Sequence, residues 1–309
     1  MNNDDGKIAI LLSTYNGSSW IKEQIESIFN QDYKNYEIYI FDDNSSDDTI
    51  SIIEKINSDK IRVKRFFSNS GSAGDNFKRA LLEMESESFS YLALADQDDI
   101  WMKDKLSTAI KKLKNSNFDG YSCSVEAFWP DNRKKIIKQS KKVSKYDYFF
   151  EGAGQGCTFL ITRQLFDRVA TSMRSHPDLI KKVHYHDWLI YFICRTYDME
   201  WLFDESVHML YRQHGGNEIG SRGKFKGIIK RIILIRDGWY QSQISNYFDL
   251  YHALLLNDPK LENNNIINKV PTNPVIQVLK LNMQFRRRAL DSLIVSFSII
   301  VGWVELKLK

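Results

Sequence analysis

The sequence predicts an α/β fold: a Rossmann-like, mostly parallel sheet built from βαβ units, followed by a helical C-terminal extension. Three observations carry this prediction. Short apolar runs alternate with helical periodicities through the first half of the chain. The apolar runs end in polar loops, two of them strongly acidic. From about Arg222 the chain turns helical, basic and apolar, and no further acidic strand end occurs.

The elements follow in order. Residues 8–13 form a short apolar run that reads as a strand. Ser18 or Ser19 can then cap a helix reaching Phe29, with Ile21, Ile25 and Ile28 on one face. Residues 37–42 read as a second strand, 49–56 repeat the helical spacing, and 61–67 read as a third strand. A helix near 75–84, a strand at 91–95 and a basic helix at 103–114 complete the alternating region. Residues 120–211 are mixed and carry a glycine-rich turn, Gly152-Ala153-Gly154-Gln155-Gly156.

A chain of 309 residues can bury a full core, as one large domain or as one domain with an appendage. It is 43% hydrophobic and 27% charged without a low-complexity tract, which excludes a disordered or fibrous chain. The formal charge of +4 is too small and diffuse to argue for nucleic acid. Cys123, Cys157 and Cys194 show neither ligand-like spacing nor a disulfide framework, which fits a reducing, cytoplasmic compartment. The polar N-terminus with its short apolar run does not read as a signal peptide.

Open sheets of this kind bind ligands beyond the carboxyl ends of their strands. The residues expected there are Thr14-Tyr15-Asn16-Gly17, then 42–47, then Asp96-Gln97-Asp98-Asp99. Asp96 and Asp98, spaced i, i+2 where a strand meets a turn, can face one small volume. Carboxylates held close repel unless a cation lies between them, and a hard divalent ion is the usual resolution. The bland alternative is an aspartate-rich turn capping the next helix, a role expected in part for Asp99. Asp42-Asp43 offers a carboxylate to the imide N–H of a uracil or thymine, and Tyr15 either stacks on that base or is a core-edge aromatic. Asp47 or Asp48 is expected to cap the following helix.

Residues 13–17 (Ser-Thr-Tyr-Asn-Gly), 42–49 (Asp-Asp-Asn-Ser-Ser-Asp-Asp-Thr) and 95–101 (Ala-Asp-Gln-Asp-Asp-Ile-Trp) resemble the family 2 glycosyltransferases of GT-A fold. His186-Asp187-Trp188 and residues 211–217 (Tyr-Arg-Gln-His-Gly-Gly-Asn) resemble the branch containing bacterial rhamnosyltransferases of cell-wall and O-antigen polysaccharide assembly. The resemblance spans roughly residues 7–220. It implies a GT-A domain at 1–221, with a nucleotide-sugar half at about 1–118 and an acceptor half at about 119–221, and a helical region at 222–309.

Carried over residue by residue, the resemblance implies that Ser13, Tyr15 and Asp43 hold the nucleoside, with Asp96 near the ribose and Gln97 beside it. Asp98 is the direct ligand of Mg²⁺ or Mn²⁺, and His214 contacts the metal or diphosphate. Asp187 matches the catalytic base, and Gly154, Trp188 and Arg212 are expected around the sugar or acceptor. One departure is Asp75, which stands where relatives often carry a basic residue before Asn76-Phe77; Lys78 or Arg79 could replace that contact.

Inverting transfer needs a base near the attacking hydroxyl and charge neutralisation on the departing diphosphate. His184 and His186 flank Asp187, either as ligands or as partners that orient it. Trp188 is either a sugar platform or a core aromatic. The glycine-rich turn lacks the spacing and position of a dinucleotide cradle, and is expected to let backbone approach the sugar or acceptor.

Residues 222–236 contain six basic and no acidic residues interleaved with Phe225, Ile228, Ile229, Ile232 and Ile233, the pattern of a basic amphipathic helix. Arg286-Arg287-Arg288 precede apolar residues at helical spacing, in a run too short and too charged to span a bilayer. Peripheral docking on the inner face of the cell membrane is the expectation; a lid on the catalytic domain and a homodimer interface are the alternatives. The expected partners are a dTDP- or UDP-linked sugar and a polyprenyl-diphosphate-linked glycan. A non-catalytic scaffold of the same fold would have lost the metal or base carboxylates, and both are present.

Overall fold

The computed structural model describes residues 6–139, 143–214, 233–258, 261 and 284–304. Its centre is a nine-stranded sheet of order β3-β2-β1-β4-β8-β6-β9-β5, with β7 paired to β6. The strands are β1 (Ile8–Thr14), β2 (Tyr36–Asp42), β3 (Ile61–Arg65), β4 (Tyr91–Ala95), β5 (Ile100–Trp101), β6 (Gly120–Phe128), β7 (Lys134–Ile137), β8 (Leu160–Thr162) and β9 (Trp201–Arg212). All pairings among β1–β4 are parallel. Beyond β4 the sheet is mixed: β8 runs antiparallel to β4 and β6, while β6 and β9 are parallel. The expected parallel sheet is therefore confined to the first half, because β6 to β9 are joined partly through a hairpin and partly through helices.

The helices are α1 (Ile21–Phe29), α2 (Thr49–Ile56), α3 (Ala73–Glu83), α4 (Lys105–Lys114), α5 (Arg163–Ser175), α6 (Pro177–Lys182), α7 (His186–Thr196), α8 (Trp239–Asn257) and α9 (Ala289–Ile300). Every residue of β1 is buried, as expected of a central strand covered on both faces. Ile21, Ile25 and Ile28 are buried as their spacing predicts. The cap is not a serine: Trp20 occupies the N-cap of α1 without a side-chain hydrogen bond. At α2 the capping expectation falls on Asp47, whose carboxylate accepts the Thr49 N–H at 3.0 Å and the Ser18 N–H at 3.0 Å, tying the loop after β2 to the loop after β1.

The described residues beyond 222 share the core of the preceding helices. Tyr240, Ile244, Tyr247 and Leu254 of α8 and Val295 and Ile299 of α9 belong to the same hydrophobic cluster as Leu189, Phe192 and Ile193 of α7. Most of the basic run 222–236 lies outside the described residues. Of the three arginines before α9, Arg288 is exposed while Arg286 and Arg287 point inward. Arg286 and Arg287 bond Glu151 at 3.0 and 3.6 Å, and Arg287 also bonds Asp147 at 3.1 Å. Asp147 is fully buried and also accepts from Arg195 at 3.1 Å and Tyr191 at 2.9 Å. Arg287→Met removes one side of this buried pairing and is expected to lower unfolding free energy by about 3–5 kcal/mol. Urea unfolding followed by circular dichroism checks it, and an unchanged midpoint would refute it.

Candidate active site

A cavity of about 320 Å³ opens at the carboxyl ends of β1 and β4. β1 sits between β2 and β4, so the strand order reverses direction there, the position where an open sheet leaves a crevice. Ser13 contributes from β1, Asp96, Gln97 and Asp98 from the loop after β4, and Gly154, Gln155 and Gly156 from the glycine-rich turn. His186 and Asp187 enter from the start of α7, and His214 from beyond β9. The sheet thus gathers residues from distant parts of the chain into one volume.

On one side stands a carboxylate–imidazole pair. His214 Nε2 lies 2.7 Å from Asp98 Oδ2, and the His214 ring stacks on Trp20 at 4.1 Å. Arg212 fastens the end of β9 to the acidic loop. Its Nε donates to the Asp98 carbonyl at 2.8 Å and its N–H to Asp99 Oδ1 at 3.1 Å, while the guanidinium pairs with Glu23. Arg212 is not among the cavity's lining residues, and these contacts clasp the acidic loop to β9.

Asp99 caps no helix, because α4 begins at Lys105 with Asp104 at its N-cap. It is buried, and burial together with repulsion from Asp98 and Asp96 pushes its carboxyl well above the usual carboxylate range. Its Oδ2 has no hydrogen-bond partner among the described residues. Oxygens of Asp96 and Asp99 and the Cys157 sulfur lie within 4.8 Å of one another.

The cavity lining includes Asp96, Asp98 and Asp187, and no Lys or Arg among the described residues. A diphosphate entering such a volume needs positive charge brought from elsewhere. Carboxylate oxygens with one imidazole nitrogen form a donor set that suits Mg²⁺ or Mn²⁺. The residues present therefore fit a divalent cation.

The residues expected to hold a nucleoside lie alongside. Ser13 Oγ accepts from Asn76 Nδ2 at 2.7 Å. The Asp43 N–H bonds the Thr14 carbonyl at 2.9 Å, which sets Asp43 beside the exposed Tyr15. Tyr15 and Asp43 do not line this cavity. The Asp43 carboxylate accepts from the Ser70 N–H at 2.9 Å and Oγ at 2.7 Å and pairs with Arg79. Arg79 thus stands against the Asp43 carboxylate and the Ser68 carbonyl. Lys78 is turned away, buried on the Val183 carbonyl at 2.6 Å and on Asp75 at 2.7 Å. Asp42 is fully buried as a loop former, accepting the Ser45 N–H at 2.9 Å.

Gln97 grips the loop after β1. Its Oε1 accepts from the Thr14 hydroxyl at 2.6 Å and the Tyr15 N–H at 2.9 Å, and its Nε2 donates to the Tyr15 carbonyl at 3.0 Å. Gly17 is required beneath it, since a Cβ there would lie 2.1 Å from Gln97 Oε1.

Asp187 sits in the first turn of α7, where the helix N-terminus favours negative charge. Its Oδ1 accepts the Trp188 N–H at 2.7 Å. His186 is buried and stacked on Phe77 at 4.0 Å, and burial pushes its imidazole down to about 3, so it is neutral at physiological pH. His184 does not line the cavity; its ring packs edge-on against Tyr185 and Trp239.

Trp188 is a core residue and not a sugar platform. Its Nε1 donates to the Tyr148 carbonyl at 2.8 Å and its ring packs on Tyr247 at 4.7 Å. The glycine-rich turn is tight against protein side chains. Gly154 lines the cavity at φ +107°, and a Cβ there would lie 1.9 Å from Gln139 Nε2. Tyr185 and Tyr211 also line the cavity, and sequence reasoning assigns neither a role; their only signal is contiguity with His186 and Arg212.

Residues 9–171 match the family model described as glycosyl transferase family 2. The chain belongs to that family. It is 35% identical over 237 residues to the dTDP-rhamnosyl transferase RfbG of Shigella flexneri, covering 76% of this chain and 82% of that protein. The UDP-Glc:alpha-D-GlcNAc-diphosphoundecaprenol beta-1,3-glucosyltransferase WfgD of Escherichia coli is 27% identical over 60% of this chain and 70% of its own length. Among solved structures, the mannosyltransferase PcManGT from Pyrobaculum calidifontis, in complex with GDP-Man and Mn²⁺, superposes with TM-score 0.53 at 15% identity. That match covers 96% of this chain and 74% of that one, and it shows the fold. In this glycosyltransferase the loops after β1, β2 and β4 lie inside the family region, while His186, Asp187 and His214 lie beyond residue 171.

Proposed function

We propose that this glycosyltransferase moves L-rhamnose from dTDP-L-rhamnose, with inversion, onto a polyprenyl-diphosphate-linked glycan at the inner face of the cell membrane, using Mg²⁺ or Mn²⁺. The observation that carries the reaction is the shared cavity of the Asp98–His214 pair and Asp187. The donor assignment is supported by the 35% identity to a dTDP-rhamnosyl transferase over three quarters of the chain. The acceptor class is supported by the diphosphoundecaprenol-linked substrate in the name of the Escherichia coli relative. Among the described residues no helix is long and apolar enough to cross a membrane.

In this reading Asp187 accepts the proton of the acceptor hydroxyl as it attacks the anomeric carbon and the diphosphate departs. Such general-base assistance contributes about 10²–10⁴-fold. Asp98 and His214 hold the divalent ion, which supplies positive charge to the leaving diphosphate. Arg212 keeps the acidic loop and the end of β9 in register, so Asp98 and His214 meet without reorganisation. Tyr15 packs on the base, and Asp43, set by Arg79 and Ser70, accepts its imide N–H.

A second reading keeps every residue role and changes the donor to a UDP-hexose or a furanose, favoured by the UDP-glucose-dependent relative. Turnover of a nucleotide-sugar panel with Mg²⁺ or Mn²⁺ and a synthetic lipid-linked acceptor separates them. Transfer from dTDP-rhamnose alone is the expected result; preference for a UDP-sugar would overturn the donor and retain the chemistry.

A further inference from the structure

Helix α9 is apolar on its outer face as well as its inner one, where Val295 and Ile299 join the core. Asp291, Ser292, Ser296 and Ser298 face the protein, while Leu290, Leu293, Phe297 and Ile300 are each more than half exposed, followed by exposed Val301 and Trp303. A water-facing helix places serines outward and leucines inward, so this arrangement matches an apolar surrounding outside the helix. Contiguous exposed apolar surface of this kind marks a docking site.

A second feature borders it. Residues 133–145 contain seven basic and no acidic residues. This strip abuts the root of α9: Arg288 bonds the Lys138 carbonyl at 3.0 Å, and the Tyr146 N–H bonds the Gln284 carbonyl at 3.2 Å. Arg133 and Lys134 are paired with Asp131 and Glu126, whereas Lys135, Lys138 and Lys145 are exposed. Arg286 and Arg287 take no part, being turned inward to Glu151 and Asp147.

We infer that the outward face of α9, with Lys135, Lys138 and Lys145 beside it, docks this protein onto an anionic lipid bilayer. An apolar stripe seated at the acyl boundary beside cations at headgroup level is the arrangement of an interfacial helix, and Trp303 suits its end. A second copy meeting this face through a two-fold axis would set the basic strip close to its own image, where the charges repel. Anionic headgroups complement them. The docking face is also tied to the site, since Arg287 donates to the Gly152 carbonyl at 2.5 Å, two residues before the cavity-lining Gly154. The inference deepens the lipid-linked acceptor reading and rests on it for its purpose.

The test is co-sedimentation of the full chain with phosphatidylcholine vesicles, with and without phosphatidylglycerol. Analytical ultracentrifugation and transfer to a detergent-dispersed acceptor are measured alongside. The expected result is binding that needs phosphatidylglycerol and weakens with salt. Leu293→Gln with Phe297→Gln lowers it by about tenfold or more, and Lys135→Glu or Lys138→Glu by about fivefold each. Melting curves establish that these variants fold, and their transfer in detergent matches the parent. Absence of vesicle binding by the parent overturns the inference, even where transfer in detergent proceeds. So does a parent dimer that the Leu293/Phe297 variant dissociates while vesicle binding is unchanged. Vesicle binding without any sugar transfer supports the docking face and overturns the acceptor reading instead.

Discussion

Asp187→Asn is expected to lower kcat by about 10²–10⁴-fold, the range for loss of a general base, with nucleotide affinity close to that of the parent. The substitution keeps the Oδ1 acceptor for the Trp188 N–H, so the start of α7 stays capped in the same way. The lost property is basicity alone. Asp187 comes from the start of α7 and not from the loops after β1, β2 and β4 that are proposed to hold the nucleotide, which is why binding and turnover should part company. Calorimetric titration of the nucleoside diphosphate beside steady-state transfer checks the split. Equal loss of binding and turnover would remove Asp187 from the role of base.

The second large effect is expected at Asp98. Asp98→Asn removes the anionic partner of His214 and one of the carboxylates in a cavity whose described lining has no Lys or Arg. Turnover is expected to fall by about 10²–10³-fold, the loss typical when one stabiliser of developing charge is deleted, and the residual activity should need more Mn²⁺. The Asp98 carbonyl that holds Arg212 is unaltered, so the acidic loop should keep its shape. Activity measured across a Mn²⁺ titration reads both effects. An unchanged Mn²⁺ dependence, or full turnover in the presence of chelator, would sink the assignment of Asp98 as ligand.

The alternation of apolar runs and helical spacings places β1, β2, α2 and β4 to within a residue or two of their observed ends, since local period and burial agree there. The three strand-end motifs are legible for the same reason: a buried parallel strand must stop where its chain turns polar. Arg212 and Trp188 show where such reasoning stops. Both stand in recognisable motifs, yet Arg212 is a clasp on Asp98 and Asp99. Trp188 packs into the core, held by the Tyr148 carbonyl and the Tyr247 ring. Residue type alone does not distinguish a side chain that lines a cavity from one that braces its wall.

What the sequence by itself determined is the order of elements, because it depends on local periodicity and residue type, and, through the resemblance of its motifs to the family 2 glycosyltransferases, the class of chemistry. The tertiary structure decided which of the motif residues share one volume. It brought His214 to Asp98 and Arg79 to Asp43, buried His186 against Phe77, and joined the helices beyond residue 222 to the core of α7. It also left one apolar face of α9 exposed. These are contacts between residues far apart in the chain, set by how sheet and helices pack, and no local pattern of side chains encodes which face of an element will meet which neighbour.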